Sequence, residues 1–166
     1  MLLTALPLAH AQENSKITFD KIFQGNTTVL GRTIQYPRTK LPQIIFWRVT
    51  LPPHSVGDWH KHLVPEFFYV EHGKLYVTNK QKNGRQDVTK FDKGQVGLTD
   101  INVPQFIWNP TEEVVTVIAI YFGEKGKEST KKLGGKPSSE MLSKLISGNL
   151  TENKTETNNE ASIKRL

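Results

Sequence analysis

The 166-residue sequence contains no cysteine. That excludes thiol nucleophiles, structural disulfides and thiolate metal sites together. Any metal the chain holds must be met by imidazole, carboxylate, amide or water. This donor set suits iron, manganese, nickel or zinc and not soft copper(I). No apolar run is long enough to cross a bilayer as a helix, because the apolar start Met1–Ala11 is too short. There is no phosphate-cradling glycine loop, no dinucleotide fingerprint and no convincing Ser/His/Asp set. Acidic residues are the minority, 16 against 22 Lys and Arg, for a formal charge of +6. Half of that excess lies in residues 124–136, which we read as a solvated connector and not as a nucleic-acid surface.

The N-terminal segment ends in Ala9-His10-Ala11 before Gln12, with small residues where a signal peptidase accepts them. Residues 1–11 therefore read as a signal-peptide remnant, and a secreted or periplasmic protein is expected. Sequons at Asn26, Asn149 and Asn153 would matter only in a eukaryotic secretory route. An N-terminal arm is expected over 12–43, a barrel over 44–123, a connector and helix over 124–150, and a disordered Asn/Thr/Glu/Lys-rich tail over 151–166.

Between Ile44 and Phe122 the chain reads as short β segments divided by turns. Ile44–Leu51 is apolar and β-branched until Pro52-Pro53 stops it. Trp59–His62 is a short extended piece. His72-Gly73 turns between Phe67–Glu71 and Lys74–Thr78, and Asn83-Gly84 turns into Asp87–Phe91. Lys93-Gly94 leads into Gln95–Thr99, and Gln105–Trp108 is followed by the turn dipeptide Asn109-Pro110. Val114–Phe122 is the clearest strand and reads as buried on both faces. Strands at this spacing, with no long helix among them, predict an all-β sandwich or barrel. Met141, Leu142, Leu145 and Ile146, behind a cap at Ser138 or Ser139, predict one amphipathic helix packed across the outside.

Two imidazoles two residues apart, His60 and His62, share one face of a strand while Lys61 takes the other. Glu66 follows four residues later, past Pro65, where a bend can bring its carboxylate to the same point. Two neutral imidazoles and a carboxylate leave open positions on an octahedral ion. Chance produces this spacing in about one such chain per hundred.

These residues resemble the first motif of the cupin family, G-x5-H-x-H-x(3,4)-E-x6-G. His60, His62, Glu66 and Gly73 fall on it without a gap, while His54 occupies the leading glycine position. The second motif, G-x5-P-x-G-x2-H-x3-N, is half kept. Gly94 and Asn109 match its ends, but Asp100 replaces the proline, Asn102 the glycine and Gln105 the histidine. Asn102 can hold a turn at positive φ. Gln105 is a fourth ligand, a hydrogen-bond partner of metal-bound water, or a bystander.

The resemblance, which covers roughly Gln43 to Phe122, implies a single antiparallel jelly-roll β-barrel with a short C-terminal helix. It also implies one divalent ion, Fe, Mn, Ni or Zn, and a possible homodimer. Two functions follow. One is an enzyme, dioxygenase-, decarboxylase- or lyase-like, acting on a small oxygenated or anionic substrate. The other is a non-catalytic extracytoplasmic module binding a small ligand or metal. Other residues weigh less. His54 and His72 read as exposed turn histidines, Asp100 as a turn cap, and Trp47, Trp59, Phe68, Phe106 and Trp108 as core before pocket lining. Arg48 and Tyr69 are candidates for an anionic substrate.

Overall fold

The computed structural model describes residues 19–147 and consists of nine strands and one helix. The expected leader and tail lie outside the described residues. In chain order the strands are β1 (Pro42–Leu51), β2 (Trp59–His62), β3 (Glu66–His72), β4 (Lys74–Lys80) and β5 (Gln86–Asp92). They continue with β6 (Val96–Leu98), β7 (Gln105–Trp108), β8 (Val115–Glu124) and β9 (Thr130–Gly134), and α1 spans Ser139–Ile146. They form a four-stranded sheet ordered β1-β8-β3-β6 and a five-stranded sheet ordered β5-β4-β7-β2-β9. All strand pairings are antiparallel, as in the expected jelly roll.

Period-two alternation sorts the side chains into two cores. Between the sheets lie Leu51, Phe68, Val70, Leu75, Val77, Phe91, Val115 and Val117. On the outer face of the five-stranded sheet lie Val88, Phe106 and Trp108, covered by Met141, Leu142 and Leu145 of α1. The helix starts where its cap predicts, with the Ser138 hydroxyl accepting from the Met141 N–H at 3.2 Å. Trp59, Phe106 and Trp108 thus belong to the outer core and only Phe68 to the barrel interior.

Glycine is demanded at two places. At Gly73 (φ 76°) a Cβ would press on the Val114 carbonyl oxygen, and at Gly97 a Cβ would collide with the Phe68 ring. Asn102 does adopt positive φ, 61°, so it keeps the turn that the second motif assigns to glycine. Among the described residues no helix is long and apolar enough to cross a membrane.

Three readings need correction. β8 is not buried on both faces: its cavity-side residues Val115, Val117 and Ala119 are buried, whereas Thr116, Ile118 and Ile120 are only partly covered. The connector is not merely solvated, since residues 130–134 form β9, which pairs with β2 through Lys61↔Lys131 and His62↔Thr130. Asp100 does not cap its own turn. It is buried and accepts from the Leu30 N–H at 3.3 Å, with Arg32 Nε at 3.5 Å. It thereby fastens a small arm hairpin, closed by a Thr27↔Thr33 bridge, to the barrel.

Candidate metal centre

β2 and β7 run side by side, with His60 opposite Gln105 in register. Alternation along β2 sends the Trp59 indole to the outer core and both imidazoles inward, and the β2–β9 register shifts between Trp59 and His60. Glu66 opens β3 in the facing sheet, so its carboxylate approaches from across the barrel. His60, His62, Glu66 and Gln105 line one interior cavity of about 50 Å³. The remaining wall is mostly apolar, with Val49, Phe68, Leu75, Val77, Ile107, Val117 and Ala119.

The contacts are short and directional. The Nδ1–H of His60 donates to the Asp58 carbonyl at 2.9 Å, which leaves its Nε2 as a lone pair when the ring is neutral. His62 Nδ1 shares a hydrogen bond with the Thr130 hydroxyl at 3.2 Å. Its Nε2 faces Glu66 Oε2 at 3.0 Å and Gln105 Nε2 at 2.7 Å. The same amide nitrogen stands 3.5 Å from His60 Nε2. Tyr121 lines the cavity between β8 and these groups, its ring centre 5.4 Å from that of His62.

Burial sets the protonation states. It lowers the pKa of His62 to about 3, helped by the neighbouring His60. It also lowers His60, with the Asp58 carbonyl and carboxylate pulling back. Burial pushes Glu66 up to about 7, against the Tyr121 hydroxyl, which holds it down. Tyr121 is raised by burial and by the Glu66 charge. Both rings are therefore neutral at pH 7, the form that offers a lone pair to a metal.

Whether these residues suit a divalent ion is answered by their own misfit. Among the described residues, no three His, Asp or Glu side chains form a ready metal-holding group. Instead the Gln105 amide nitrogen occupies the point on which the two Nε2 atoms converge. His62 Nε2 faces two partners with only one lone pair or proton to offer, and Gln105 Oε1 is buried without a partner. A cation held among these groups would take lone pairs from the two Nε2 atoms and the Glu66 carboxylate, with the Gln105 carbonyl oxygen as a further donor. The donor set fits a hard or borderline ion.

The other candidates lie elsewhere. His54 is exposed, at φ 55°, with its ring 3.0 Å from Glu112, and His72 is exposed with Nδ1 at the Val114 carbonyl. Arg48 pairs with Glu71 at 3.0 Å outside the barrel, and Tyr69 is partly buried on the same strand as Glu71. Trp47 is exposed on β1. Three residues of the site escaped the sequence reading, Thr130, Tyr121 and Thr99, as did Asn79, buried on β4 opposite Gln105. Thr130 was hidden in the supposed connector. Asn79 carried a signal, since it continues the Leu75, Val77 face where an apolar residue is expected.

Residues 47–121 match the family described as the cupin domain. No curated protein matches the chain in sequence. Among solved structures the chain is similar to oxalate decarboxylase from Bacillus subtilis at pH 4.6, with 22% identity over 54% of this chain and 24% of that one, TM-score 0.48. It is also similar to the formate complex of Lactobacillus farciminis oxalate decarboxylase, with 21% identity over 54% of this chain and 26% of that one, TM-score 0.47. The chain spans about a quarter of the length of these structures. The barrel of this chain, over residues 47–121, is a cupin domain.

Proposed function

We propose that the barrel holds one divalent ion, iron, manganese, nickel or zinc, through His60, His62 and Glu66, with Gln105 as fourth ligand. The observation that carries this reading is the convergence of imidazole, carboxylate and amide within 3.5 Å in an otherwise apolar interior. When bound, such an ion supplies Lewis acidity and lowers the pKa of coordinated water. The chain supplies the rest. Asp58 and Thr130 fix the two rings by their Nδ1 atoms, and Tyr121 steadies the Glu66 carboxylate. The apolar wall keeps the donors dry and their hydrogen bonds strong.

The function that follows is an enzyme acting on a small oxygenated or anionic substrate, in the dioxygenase, decarboxylase or lyase manner. The small cavity favours a second reading as well, a module that retains a metal or a very small ligand without turnover. A second copy of the chain is part of the proposal, because the edge strand β1 leaves Ile44 and Phe46 exposed at 58% and 66%.

Elemental analysis of protein purified without chelator, beside a His60→Ala/His62→Ala variant, tests the centre. Near-stoichiometric metal that vanishes in the variant is expected. No metal in either protein, even after adding each of the four ions, would sink the metal reading. For an enzyme, His62→Ala abolishes turnover while the fold persists; a binding module loses only its ligand.

A further inference from the structure

Among the described residues, four buried side-chain atoms lack any hydrogen-bond partner: Asn79 Nδ2, Asn79 Oδ1, Thr99 Oγ1 and Gln105 Oε1. Three of the four belong to one pair of cross-strand neighbours, because Asn79 on β4 stands directly opposite Gln105 on β7. Both residues lie on the cavity side of their strands. Leu75 and Val77, four and two residues before Asn79, line the cavity, as does Ile107 two residues after Gln105. Directly opposed side chains have Cβ atoms about 5 Å apart, so the two amides are within rotamer reach of each other.

A buried amide with both ends unpaired is costly and uncommon, and its neighbours show which partner it lacks. On its other flank Asn79 faces Asp87, in register on β5. That carboxylate is already satisfied. Oδ1 lies 2.9 Å from Arg85 Nε, and Oδ2 accepts from Arg85 at 3.1 Å and from Gln81 at 2.7 Å. Gln105 is the neighbour that also has an atom to spare. In the metal-free arrangement its Nε2 points at the imidazoles, which need a donor, and its Oε1 is left over.

We infer that Asn79 is the positioning residue of Gln105, the acceptor that allows the glutamine to present its carbonyl and not its amide nitrogen to the ion. This inference rests on the proposed metal centre. A half-turn of the Gln105 amide exchanges its two ends. Oε1 then stands where Nε2 now stands, at the convergence of the His60 and His62 lone pairs, a place tolerable for oxygen only when a cation is there. The displaced Nε2 needs an acceptor on the far side, and Asn79 Oδ1 supplies it. The half-turn thus gives partners to two of the three orphaned atoms, Asn79 Oδ1 and Gln105 Oε1. A histidine at position 105, as the second cupin motif has, would need no such partner to choose between two ends. Asn79 and Gln105 are therefore read as a unit.

The test measures Co²⁺ affinity by competition with a chromophoric chelator, the visible absorption of the Co²⁺-loaded protein, and the Tm of the metal-free protein. The proteins are wild type, Asn79→Leu, Gln105→Leu and the double variant. Leucine matches asparagine in shape and removes its polar ends. Asn79→Leu is expected to weaken Co²⁺ binding about tenfold, in the range of partners that orient a ligand. Its metal-free Tm should hold or rise, since an unpaired buried amide has gone. Its visible spectrum should move toward that of Gln105→Leu, and on the Gln105→Leu background it should cost no further affinity. Asn79→Ala should act in the same direction if the leucine packs badly. Unchanged Co²⁺ affinity in Asn79→Leu, or an equal loss in both backgrounds, would overturn the inference while leaving the metal centre standing. Wild-type protein that takes up no Co²⁺ would overturn both.

Discussion

The side chains at the centre of the barrel are held in a compromise that pH can expose. In metal-free protein Glu66 has its pKa raised from 4.5 to about 7 by burial. The unfolded chain gives up this proton above about pH 4.5, whereas the folded chain keeps it to about pH 7, so stability falls as the pH rises through that interval. The loss is about 3 kcal/mol for a shift of this size. In the presence of chelator, Glu66→Gln should therefore melt above wild type at pH 8, with the difference closing as the pH approaches 4.5. A constant difference across pH, measured by thermal unfolding, would show that the carboxyl is not buried as described. His62 opposes this at the acid end. Its pKa is lowered to about 3, so the unfolded state binds the extra proton below about pH 6.5 and stability falls on acidification. Supplying metal should shrink the alkaline arm, because an ion favours the ionised carboxylate, and steepen the acid arm, because protons compete with the ion for the same groups.

Among the elements, β9 matters most to the site although the chain hardly advertises it. Its residues Thr130-Lys-Lys-Leu-Gly134 alternate poorly and carry two lysines, which is why composition alone reads them as solvent-exposed chain. Pairing with β2 places Thr130 opposite His62, where its hydroxyl holds Nδ1. Thr130→Val keeps the β-branched shape and removes that bond. It should weaken metal binding by roughly tenfold or more with only a small change in Tm. Unaltered metal affinity in this variant would show that the hydroxyl does not orient the ring. The helix α1 is different in kind. It stabilises by covering Phe106 and Trp108, the outward neighbours of Gln105 and Ile107 on β7. Its legibility was high because capping and 3.6-residue periodicity are local properties.

Among the described residues, the four-stranded sheet presents an open edge at β1. β1 ends the four-stranded sheet, pairs only with β8, and carries Ile44, Phe46 and Trp47 in the open. A long apolar edge of this kind is a template for a second strand. The protein should sediment as a dimer, and Phe46→Glu, which sets two charges near each other across a two-fold contact, should shift it to monomer at micromolar concentration. Monomeric wild-type protein by sedimentation velocity would remove the proposed partner. The opposite edge is managed from within the chain. The arm hairpin docks there through the Val29 N–H to the Leu98 carbonyl at 2.8 Å, and through Asp100.

Much of this protein is fixed by short-range pattern. Turns at Gly73, Gly84 and Gly94 all have positive φ, and the strands between them fall where alternation puts them, because backbone sterics and side-chain period act over a few residues. The spacing of His60, His62 and Glu66 likewise announces a shared site, since two of the three lie on one strand face and the third just past a bend. The fold class and this nucleus of the site were thus legible in the chain. Tertiary structure alone decided what stands opposite what. Only β2–β9 pairing recruits Thr130, only β8 brings Tyr121 to Glu66, only the arm explains an aspartate at position 100, and only β4–β7 register sets Asn79 against Gln105. These contacts join residues far apart in sequence. Their partners are chosen by strand register, which depends on how the whole barrel closes and not on any local preference.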